Sequence, residues 1–453
     1  MSGPILIAVY GPPHVDSVTR LGFLTLSVNS PHRDPPRRSG DGGGADAIGV
    51  EPATVALFPD RLAHYRLHAF RAIASELAVT GWRLHVFAAE RPSVSTIPLA
   101  SADVLTEAGG TRLTRLRELA IRGVVLWQTR IISTAWSRQY PVVVLWGEAH
   151  RMSSWLALIV ARLRGKTTLV WTHGLYGREG MVKRALRVRF YALADHILLY
   201  GTHARGLLIE RGFEPARMTV VHNALDHETH VGLRGDLWKL PTAMLRRRLT
   251  DSALDDGERL LVFVGRLTRV KRVDLLIRAL AHLTSTGAGS YRVIIVGDGS
   301  ERETLLALTA DLGVRDRVVF RAAEYDEREL ATIFCAADLC VSPGDVGLLA
   351  VHALTYGTPV VTHDDARYQG PESETVQPGV TGELFRRGDA ADLGRAIDRW
   401  FGRRPDAGDV RRRCAATVDV AYTPRQVARR FTRAALEEHA RTARGAIADP
   451  QDG

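Results

Sequence analysis

Short apolar runs alternate along most of the chain with segments in which apolar residues recur every three or four positions. The runs predict buried parallel strands, and the recurring positions predict amphipathic helices. A strand from Thr54 to Phe58, a helix from Leu67 to Val79 and a strand from Arg83 to Ala88 make the first such unit. Because strand and helix follow each other in this order, the pattern predicts an α/β fold with helices on both faces of parallel sheets.

The same alternation continues through the first half of the chain and restarts in the second half after a polar interval, His227–Glu258, which we interpret as the linker and the entry to the second domain. Further strands of the first half are predicted at Val142–Trp146, Thr168–Trp171, Ile197–Leu199 and Met218–His222, with helices at Met152–Leu163, Val182–Leu193 and His203–Arg211. Strands of the second half are predicted at Leu260–Val264, Arg292–Val296, Val318–Phe320, Leu339–Ser342, Val360–Thr362 and Thr381–Phe385. Helices of the second half are predicted at Ser300–Leu312, Glu327–Ala336, from Gly347 through Tyr356, at Ala391–Phe401 and at Gln426–Arg444.

The length of 453 residues exceeds what one hydrophobic core supports, so we expect two domains. The predicted N-terminal domain covers residues 51–225, and the predicted C-terminal domain covers residues 226–425. A C-terminal helix at 426–444 and a disordered tail at 445–453 follow. Residues 1–50 are predicted to be an appendage that is partly disordered, because Pro31–Gly44 is too rich in Pro, Arg and Gly to bury apolar surface.

The chain is basic, with a formal net charge of +10 and a pI of about 9.8. Such a balance suits nucleic acid, anionic lipid or phosphorylated substrates, and the alternative is that arginine is simply frequent in this composition. Nucleic acid is the weakest option, because neither an RNA-binding aromatic signature nor a zinc finger accompanies the charge. Three cysteines and the lack of a signal-peptide pattern favour a cytoplasmic location.

The stretch Leu260–Leu276 carries the most specific chemistry. The predicted strand ends at Gly265, Arg266 follows at once, and Lys271 lies five residues later, before a helical pattern. Open α/β sheets bind ligands at the carboxyl ends of their strands, where two cations and a helix N-terminus suit a diphosphate. The other interpretation is a solvated loop, and this stretch alone leaves both open.

Several common motifs are incomplete. Val160 stands where a P-loop ending in Gly165-Lys166-Thr167 needs its first glycine, and Arg302 stands where a dinucleotide fingerprint needs its third. His227 and His230 are wrongly spaced to hold zinc on one helix face, and no nucleophile elbow occurs. These failures argue against an ATPase, a dehydrogenase, a zinc hydrolase and a serine esterase, and we predict no metal site.

Three segments of the second half carry a family pattern. They read V-G-R-L-x-x-x-K-R from Val264, V-G-D-G-S-E-R from Val296 and S-P-G-D-V-G-L-L-A-V-H-A-L-T-Y-G-T-P-V-V from Ser342. Their order and spacing resemble the family 4 retaining glycosyltransferases of the GT-B fold, also called glycosyl transferases group 1. The resemblance covers residues 259–362 well and reaches weakly to Phe58–Arg66, Thr172-His173-Gly174 and Val221-His222-Asn223. It implies two Rossmann-like, doubly wound domains that face each other across a cleft.

The resemblance also implies roles for individual residues. Arg266 and Lys271 match the cation pair that grips the donor diphosphate, His173 matches a histidine that contacts the transferred sugar, and Asp345 is the acid nearest to a catalytic position. Donor-binding positions are implied at Gly265, Gly297, Asp298, Gly344, Val346, Gly347, Leu348 and His352. Acceptor-side positions are implied at Tyr65 and Arg66.

The chain departs from the family at two of these positions. The family has two glutamates eight residues apart, and aligning Gly347-Leu348 places Gly344 at the first and His352 at the second. Asp345 is the acid that would replace the first glutamate, with a helix N-cap as its other interpretation. His352 would donate to or accept from a hydroxyl of the nucleotide ribose, less strongly than a carboxylate, with a satisfied histidine on a helix face as its other interpretation.

The resemblance implies transfer of a sugar, with retention of configuration, from a nucleoside diphosphate donor to a hydroxyl of a glycolipid, polysaccharide or natural-product acceptor. No metal and no cofactor is expected. The alternatives are a catalytically impaired nucleotide-sugar-binding scaffold and a GT-B sugar epimerase. Basic helical patterns at Arg112–Arg122 and Lys183–Arg189 indicate peripheral contact with the inner face of the cytoplasmic membrane, unless they are solvated faces. The base, the sugar and the acceptor stay open.

Overall fold

The structure is a computed structural model that describes residues 52–59, 66–89, 111–121, 124–249, 257–287, 289–403 and 406–448, with side chains as far as residue 444. The predictions for residues 1–50, for Tyr65 and for residues 449–453 lie outside these ranges. Within them, the alternation of strands and helices predicted from the hydrophobic pattern is confirmed.

A parallel sheet of seven strands, in the order β3-β2-β1-β6-β7-β8-β9, forms the centre of the first half. Its order reverses beside β1, where Val55 pairs with Leu84 on one side and with Val142 on the other. Its inner strands are buried on both faces because helices cover both. The strands of this half are β1 Thr54–Phe58, β2 Arg83–Ala89, β3 Arg112–Leu116, β4 Glu118–Ile121, β5 Val124–Gln128, β6 Val142–Trp146, β7 Thr167–Thr172, β8 His196–Leu199 and β9 Met218–Val220, of which β4 and β5 form a separate antiparallel pair.

Two helical layers sandwich this sheet. The helices of this half are α1 Leu67–Val79, α2 Ile131–Trp136, α3 Met152–Leu163, α4 Met181–Ala192 and α5 Thr202–Ile209. The layer with α3 and α4 shares one hydrophobic cluster, which includes Leu158 and Phe190. The layer on the opposite face contains α1, and it is completed by residues from the end of the chain, such as Phe431.

The second half contains a parallel sheet of six strands in the order β12-β11-β10-β13-β14-β15. Its strands are β10 Arg259–Val264, β11 Tyr291–Val296, β12 Val318–Arg321, β13 Leu339–Ser342, β14 Val360–His363 and β15 Gly382–Phe385. The remaining helices are α6 His227–Leu237, α7 Thr242–Arg247, α8 Val273–Ser285, α9 Arg302–Asp311, α10 Glu327–Ala336, α11 Leu348–Thr355, α12 Ala390–Gly402, α13 Ala407–Ala421 and α14 Pro424–Ala448. One large apolar cluster fills this half.

The interval His227–Glu258 was predicted to be the linker and the entry to the second domain. The linker part of this prediction is wrong, because the interval contains α6 and α7, and its Leu237 and Leu245 belong to the core of the second half. Two of its arginines bind the protein and do not face solvent as a linker's would. The Arg234 guanidinium donates to the carbonyl of Thr355 at 3.0 Å, and the Arg246 guanidinium donates to the carbonyl of Ala336 at 3.0 Å. These carbonyls lie at the ends of α11 and α10, so the arginines satisfy helix termini that hydrophobic periodicity does not reveal.

Two further predictions need correction. Arg112–Arg122 is not helical: it contains β3 and β4, and its cations are tolerated because β3 lies at the edge of the sheet. Residues 445–448 were predicted to belong to a disordered tail, but they are part of α14, which continues to Ala448. Helix α13 and strand β5 were not predicted at all. No helix in the described ranges has the length and apolar content that crossing a bilayer would need.

Candidate active site

Three turns at the carboxyl edge of the second sheet pack against one another so closely that only glycine fits between them. A Cβ on Gly297 would lie 1.9 Å from the carbonyl oxygen of Gly265, whereas real Cβ contacts are longer than 3 Å. The amide of Leu267 also donates to the carbonyl of Asp298 at 2.9 Å. The loop after β10 is therefore held by the loop after β11, at the edge where α/β sheets bind ligands.

Lys271 lies within this assembly with only 1% of its surface exposed. Its Nζ donates to the carbonyl of Asp345 at 2.5 Å. Burial lowers the pKa of Lys271, and the nearby charge of Arg266 lowers it further, while Asp345 and Glu372 act in the opposite direction. The structure thus brings the two predicted cations together, and an anion bound beside them would stabilise the buried ammonium.

Gly344 occupies the position where the family pattern has its first glutamate. A Cβ there would lie 2.1 Å from the carbonyl oxygen of Val270 and 2.8 Å from the Cα of Lys271. The loop that carries Lys271 therefore fills the space that a side chain at this position would need. The chain cannot hold a glutamate at 344 without moving that loop, which gives a physical reason for the departure.

Asp345 follows in the same turn, and its carboxylate binds the protein itself. Its Oδ1 accepts a hydrogen bond from the amide of Gly370 at 2.9 Å, and the amide of Val346 donates to the side chain of Gln369 at 2.9 Å. Burial raises the pKa of Asp345, although Lys271 opposes this. The turn is consequently hydrogen-bonded to the loop after β14. The Asp345 carboxylate and the Val346 amide, both predicted to bind the ligand, take part in these hydrogen bonds.

Glu372 is a site residue that the sequence analysis missed. Its side chain is buried next to Asp345 and Lys271, and burial is the main cause that raises its pKa to about 7. Its Oε1 accepts a hydrogen bond from the side chain of Asn223, in the first half of the chain, at 3.2 Å. The sequence signal that could have indicated Glu372 is the acidic run Glu372-Ser373-Glu374, which follows a predicted strand at the carboxyl edge of the second sheet. This run lies beyond the motifs that carry the family resemblance.

Glu374 joins the two halves a second time. Its carboxylate accepts hydrogen bonds from the amide and the hydroxyl of Thr202 at 2.8 and 2.9 Å and from the amide of His203 at 2.8 Å. It therefore caps the N-terminus of α5 from the opposite side of the cleft, where a carboxylate also interacts favourably with the helix dipole. Together with Glu372, this contact brings the carboxyl edges of the two sheets face to face.

His173 and Arg66 lie on the first-half side of the cleft. The ring of His173 is half-buried and packs against Tyr200 with 4.5 Å between ring centroids. The Arg66 guanidinium lies 4.4 Å from the ring centroid of Trp146. Arg66, Trp146, Tyr200 and Asn223 share the lining of one small pocket. The sequence-predicted acceptor-side position and the asparagine that binds Glu372 are thus neighbours.

His352 lies in a buried cluster that the sequence did not predict. Its Nε2 is 2.7 Å from Oε1 of Glu327, the hydroxyl of Tyr356 donates to the same oxygen at 2.6 Å, and Nε2 of His230 is 3.3 Å from it. Burial acts to raise the pKa of Glu327, but the charge of and the hydrogen bonds from the two histidines outweigh it and hold this pKa below its usual range. The carboxylate is therefore an acceptor, and each of these contacts brings a donor to it.

Two imidazoles and a carboxylate are also the residue types of a zinc site, and their ligand atoms lie within 4.8 Å of one another. Bonds of about 2.0 Å to a tetrahedral ion would separate the ligand atoms by roughly 3.3 Å. The 2.7 Å between His352 and Glu327 is shorter and is typical of a charge-assisted hydrogen bond. The geometry favours a hydrogen-bonded network over a metal site.

Two facing doubly wound domains, with a cation pair at the carboxyl edge of the second, define a protein of the GT-B class. The model for the glycosyl transferases group 1 matches residues 248–416, and the model for glycosyltransferase family 4 matches residues 69–229. The two matches lie in the two halves of the chain and confirm the resemblance to family 4 glycosyltransferases seen in the motifs.

Curated relatives are similar to this chain in sequence over part of its length. A D-inositol 3-phosphate glycosyltransferase from Acidothermus cellulolyticus is 35% identical over 217 residues, 41% of this chain and 46% of the relative. The one from Nocardia farcinica is 38% identical over 160 residues, 33% of this chain and 34% of the relative. The matches thus span less than half the length of these curated relatives.

Among solved structures, the lipopolysaccharide outer core galactosyltransferase WaaB in its apo form has a TM-score of 0.61 at 16% identity, covering 85% of this chain and 99% of that chain. Anabaena Alr3699/HepE in complex with UDP has a TM-score of 0.60 at 16% identity, covering 84% and 98%. At this identity the similarity is one of fold, and it confirms the predicted GT-B architecture.

Proposed function

We propose that the protein is a retaining glycosyltransferase, which moves a sugar from a nucleoside diphosphate donor to a hydroxyl group of an acceptor. The observation that carries the proposal is the buried Lys271 beside Arg266 at the carboxyl edge of β10. The matches to the two family models support the reaction class. The named relatives act on inositol phosphate, and an acceptor hydroxyl of this general kind is part of the proposal. So are a cytoplasmic location and peripheral contact of the N-terminal domain with a membrane.

The cation pair would act on the leaving group. As the glycosidic bond breaks, negative charge grows on the departing diphosphate, and fixed positive charges next to it favour the transition state over the bound substrate. Lys271 lacks most of its hydration before any ligand arrives, so little reorganisation is needed when the charge develops. The acceptor hydroxyl would attack from the face that the diphosphate leaves and pass its proton to a donor phosphate oxygen, without a protein nucleophile or a metal.

Glu372 would supply the carboxylate that the turn at Gly344 cannot carry. Glu372 and Asp345 are the acids that act to raise the pKa of Lys271. The carboxylate of Asp345 is already bound to the amide of Gly370, which leaves Glu372 for the ligand. From the loop after β14, it would accept a hydrogen bond from a hydroxyl of the donor sugar. Because Glu372 also binds Asn223 of the other domain, this role would couple donor binding to domain closure.

A donor screen tests the proposal. Purified protein would be incubated with a panel of nucleoside diphosphate sugars, and release of nucleoside diphosphate would be followed with and without candidate acceptors. We expect one donor to be consumed, and NMR of the product to show the anomeric configuration of the donor, with unchanged rates in EDTA. Inversion of configuration would contradict the mechanism. Thermal stabilisation by a nucleotide without turnover would instead support a binding scaffold.

His352 would bind the ribose through its Nδ1. Its Nε2 faces Glu327, and Nδ1 is buried without a hydrogen-bond partner among the described residues. A ribose hydroxyl both donates and accepts, so it can bind Nδ1 in either charge state of the ring. Glu327 would act as a positioning residue, because it fixes which nitrogen is left for the ligand.

This role predicts a difference between ribo- and deoxyribonucleotides. We expect the wild-type protein to bind the preferred ribonucleoside diphosphate about tenfold more tightly than its 2′- or 3′-deoxy analogue, the value of roughly one hydrogen bond. His352→Ala should bring this ratio close to one in calorimetric titrations. As a control, Thr355→Ala removes a buried hydroxyl from the same helix and should leave the ratio intact. Weaker binding of both nucleotides at an unchanged ratio would show that His352 is only structural.

A further inference from the structure

Helix α3 exposes a continuous apolar stripe. Met152, Leu156, Ile159 and Leu163 recur at helical spacing, so they share one face, and each is exposed, up to 79% for Leu163. The opposite face of the same helix is fully engaged in the core through residues such as Leu158. An apolar stripe that faces away from the core along three turns of a helix needs an explanation, because single exposed apolar residues are normal but aligned rows are not.

The neighbouring helices of the same layer also expose apolar residues. Helices α3 and α4 touch through Trp155 and Phe190, whose ring centroids are 5.1 Å apart. Helix α4 exposes Met181 and Val182, the latter at 85%, and Leu186 one turn further on. Helix α2 ends in an exposed Trp136. These three short helices hold eight of the seventeen large apolar side chains that are exposed in the described part of the chain.

The charge of this surface has one sign. Neither α3 nor α4 contains an aspartate or a glutamate. Exposed cations flank the apolar residues: Arg162 lies in the last turn of α3, Arg164 directly follows that helix, and Lys183 and Arg189 lie on α4. The Arg164 guanidinium lies 4.7 Å from the ring centroid of Trp136, an arrangement that places a cation and an indole together at the border of the apolar surface.

From these observations we infer that the face formed by α2, α3 and α4 docks on an anionic lipid bilayer and that the acceptor is carried in that bilayer. An apolar row flanked by Lys and Arg, with an aromatic residue at its border, is the composition of an interfacial membrane helix. A protein partner would be expected to meet matching acidic or mixed charges, whereas acidic headgroups match a surface that has cations alone. The inference rests on the proposed function, since it names the class of acceptor.

The position of the face supports this assignment. Helices α3 and α4 begin after β6 and β7, at the carboxyl edge of the first sheet, so Met152, Met181 and Val182 lie at the cleft end of the face. His173 is in the loop between β7 and α4, at the same edge. A molecule anchored in the bilayer would therefore present its polar head at the mouth of the cleft.

Vesicle binding of the full-length protein tests the inference. Sedimentation with vesicles of phosphatidylcholine alone would be compared with vesicles that also contain phosphatidylglycerol. We expect binding to the anionic vesicles that weakens but does not vanish in high salt, because part of it is apolar. Leu156→Glu combined with Leu163→Glu should weaken it at least tenfold. Val420→Glu, an exposed apolar residue on α13, is the matched control and should bind as the wild type does.

Three outcomes would overturn the inference: no binding of the wild type to anionic vesicles, equal binding of the double variant, or a wild-type dimer in light scattering that the double variant abolishes. The proposed function is judged separately, by hydrolysis of the nucleotide sugar without acceptor. The double variant should hydrolyse the donor at the wild-type rate, because its substitutions lie outside the cleft. If the wild type bound anionic vesicles but hydrolysed no donor, and the double variant lost the binding, the proposed function would be refuted. Membrane docking of this face would still hold.

Discussion

Replacing Lys271 with methionine is expected to lower the rate of sugar transfer by about 10²–10³, the usual cost of removing one preorganised group that stabilises transition-state charge. Methionine keeps most of the volume of the side chain. It also removes an ammonium that burial already disfavours, which offsets the lost hydrogen bond to the carbonyl of Asp345. We therefore expect the melting temperature to change by no more than a few degrees. Initial rates at saturating donor, with calorimetric affinities for the nucleoside diphosphate, measure the effect.

Lys239→Met provides the control for this experiment. Lys239 belongs to the same half of the chain, its side chain is 76% exposed, and it forms only a surface ion pair with Asp236. Such pairs contribute little to stability, so the control should match the wild type in both rate and melting temperature. If the Lys271→Met protein transferred sugar at the wild-type rate, the cation pair would have no role in leaving-group departure and the proposed mechanism would fall.

Replacing Glu372 with glutamine is expected to make the protein more stable and less active. The pKa of this carboxyl is raised from 4.5 to about 7, so between these values the folded protein binds the proton more tightly than the unfolded chain does. Stability is consequently lost as the pH rises through this window, and the full penalty, about 3 kcal/mol, is present above pH 7. Glutamine carries no charge and keeps an acceptor for Asn223, so the variant avoids the penalty.

The sign of this effect can be checked with melting temperatures at pH 5 and pH 8. The melting temperature of the Glu372→Gln protein should exceed that of the wild type by clearly more at pH 8 than at pH 5. Its transfer rate at pH 8 should fall about 10²-fold if the carboxylate binds the donor sugar. Glu438→Gln is the matched control, because Glu438 is also buried with a raised pKa but lies on α14. An active and unaltered Glu372→Gln protein would exclude the role proposed for this residue.

Hydrophobic periodicity predicted most of the fold. Strands such as β6 and helices such as α3 agree to the residue, because an apolar run of five or a stripe of twelve residues has one favourable arrangement in a layered α/β protein. The errors occur where polar side chains take part in tertiary contacts. Helix α6 looked like a linker because Arg234 and its neighbours bind helix ends and not solvent, and β3 looked helical because an edge strand tolerates charge.

The candidate site was predictable only in part. Arg266 and Lys271 are separated by five residues within one loop, so the local sequence contains the pair. Glu372 lies about a hundred residues further along and joins them through the topology of the sheet, and its partner Asn223 belongs to the other domain. The space that excludes a side chain at 344 is likewise made by a distant backbone segment. These contacts between distant residues depend on which turns meet at the edge of the sheet. A local sequence motif carries no information about them.

Helix α14 follows the second sheet along the chain but completes the first domain. Phe431 is fully buried there and packs against Trp171, with 5.6 Å between ring centroids, and Val427 and Ala435 belong to the same cluster as α1. A fragment cut after residue 225 would therefore lack one wall of its own interior. Anyone expressing the acceptor-side half by itself should append residues 424–444 through an engineered connection, or produce the two halves together and rely on their reassembly.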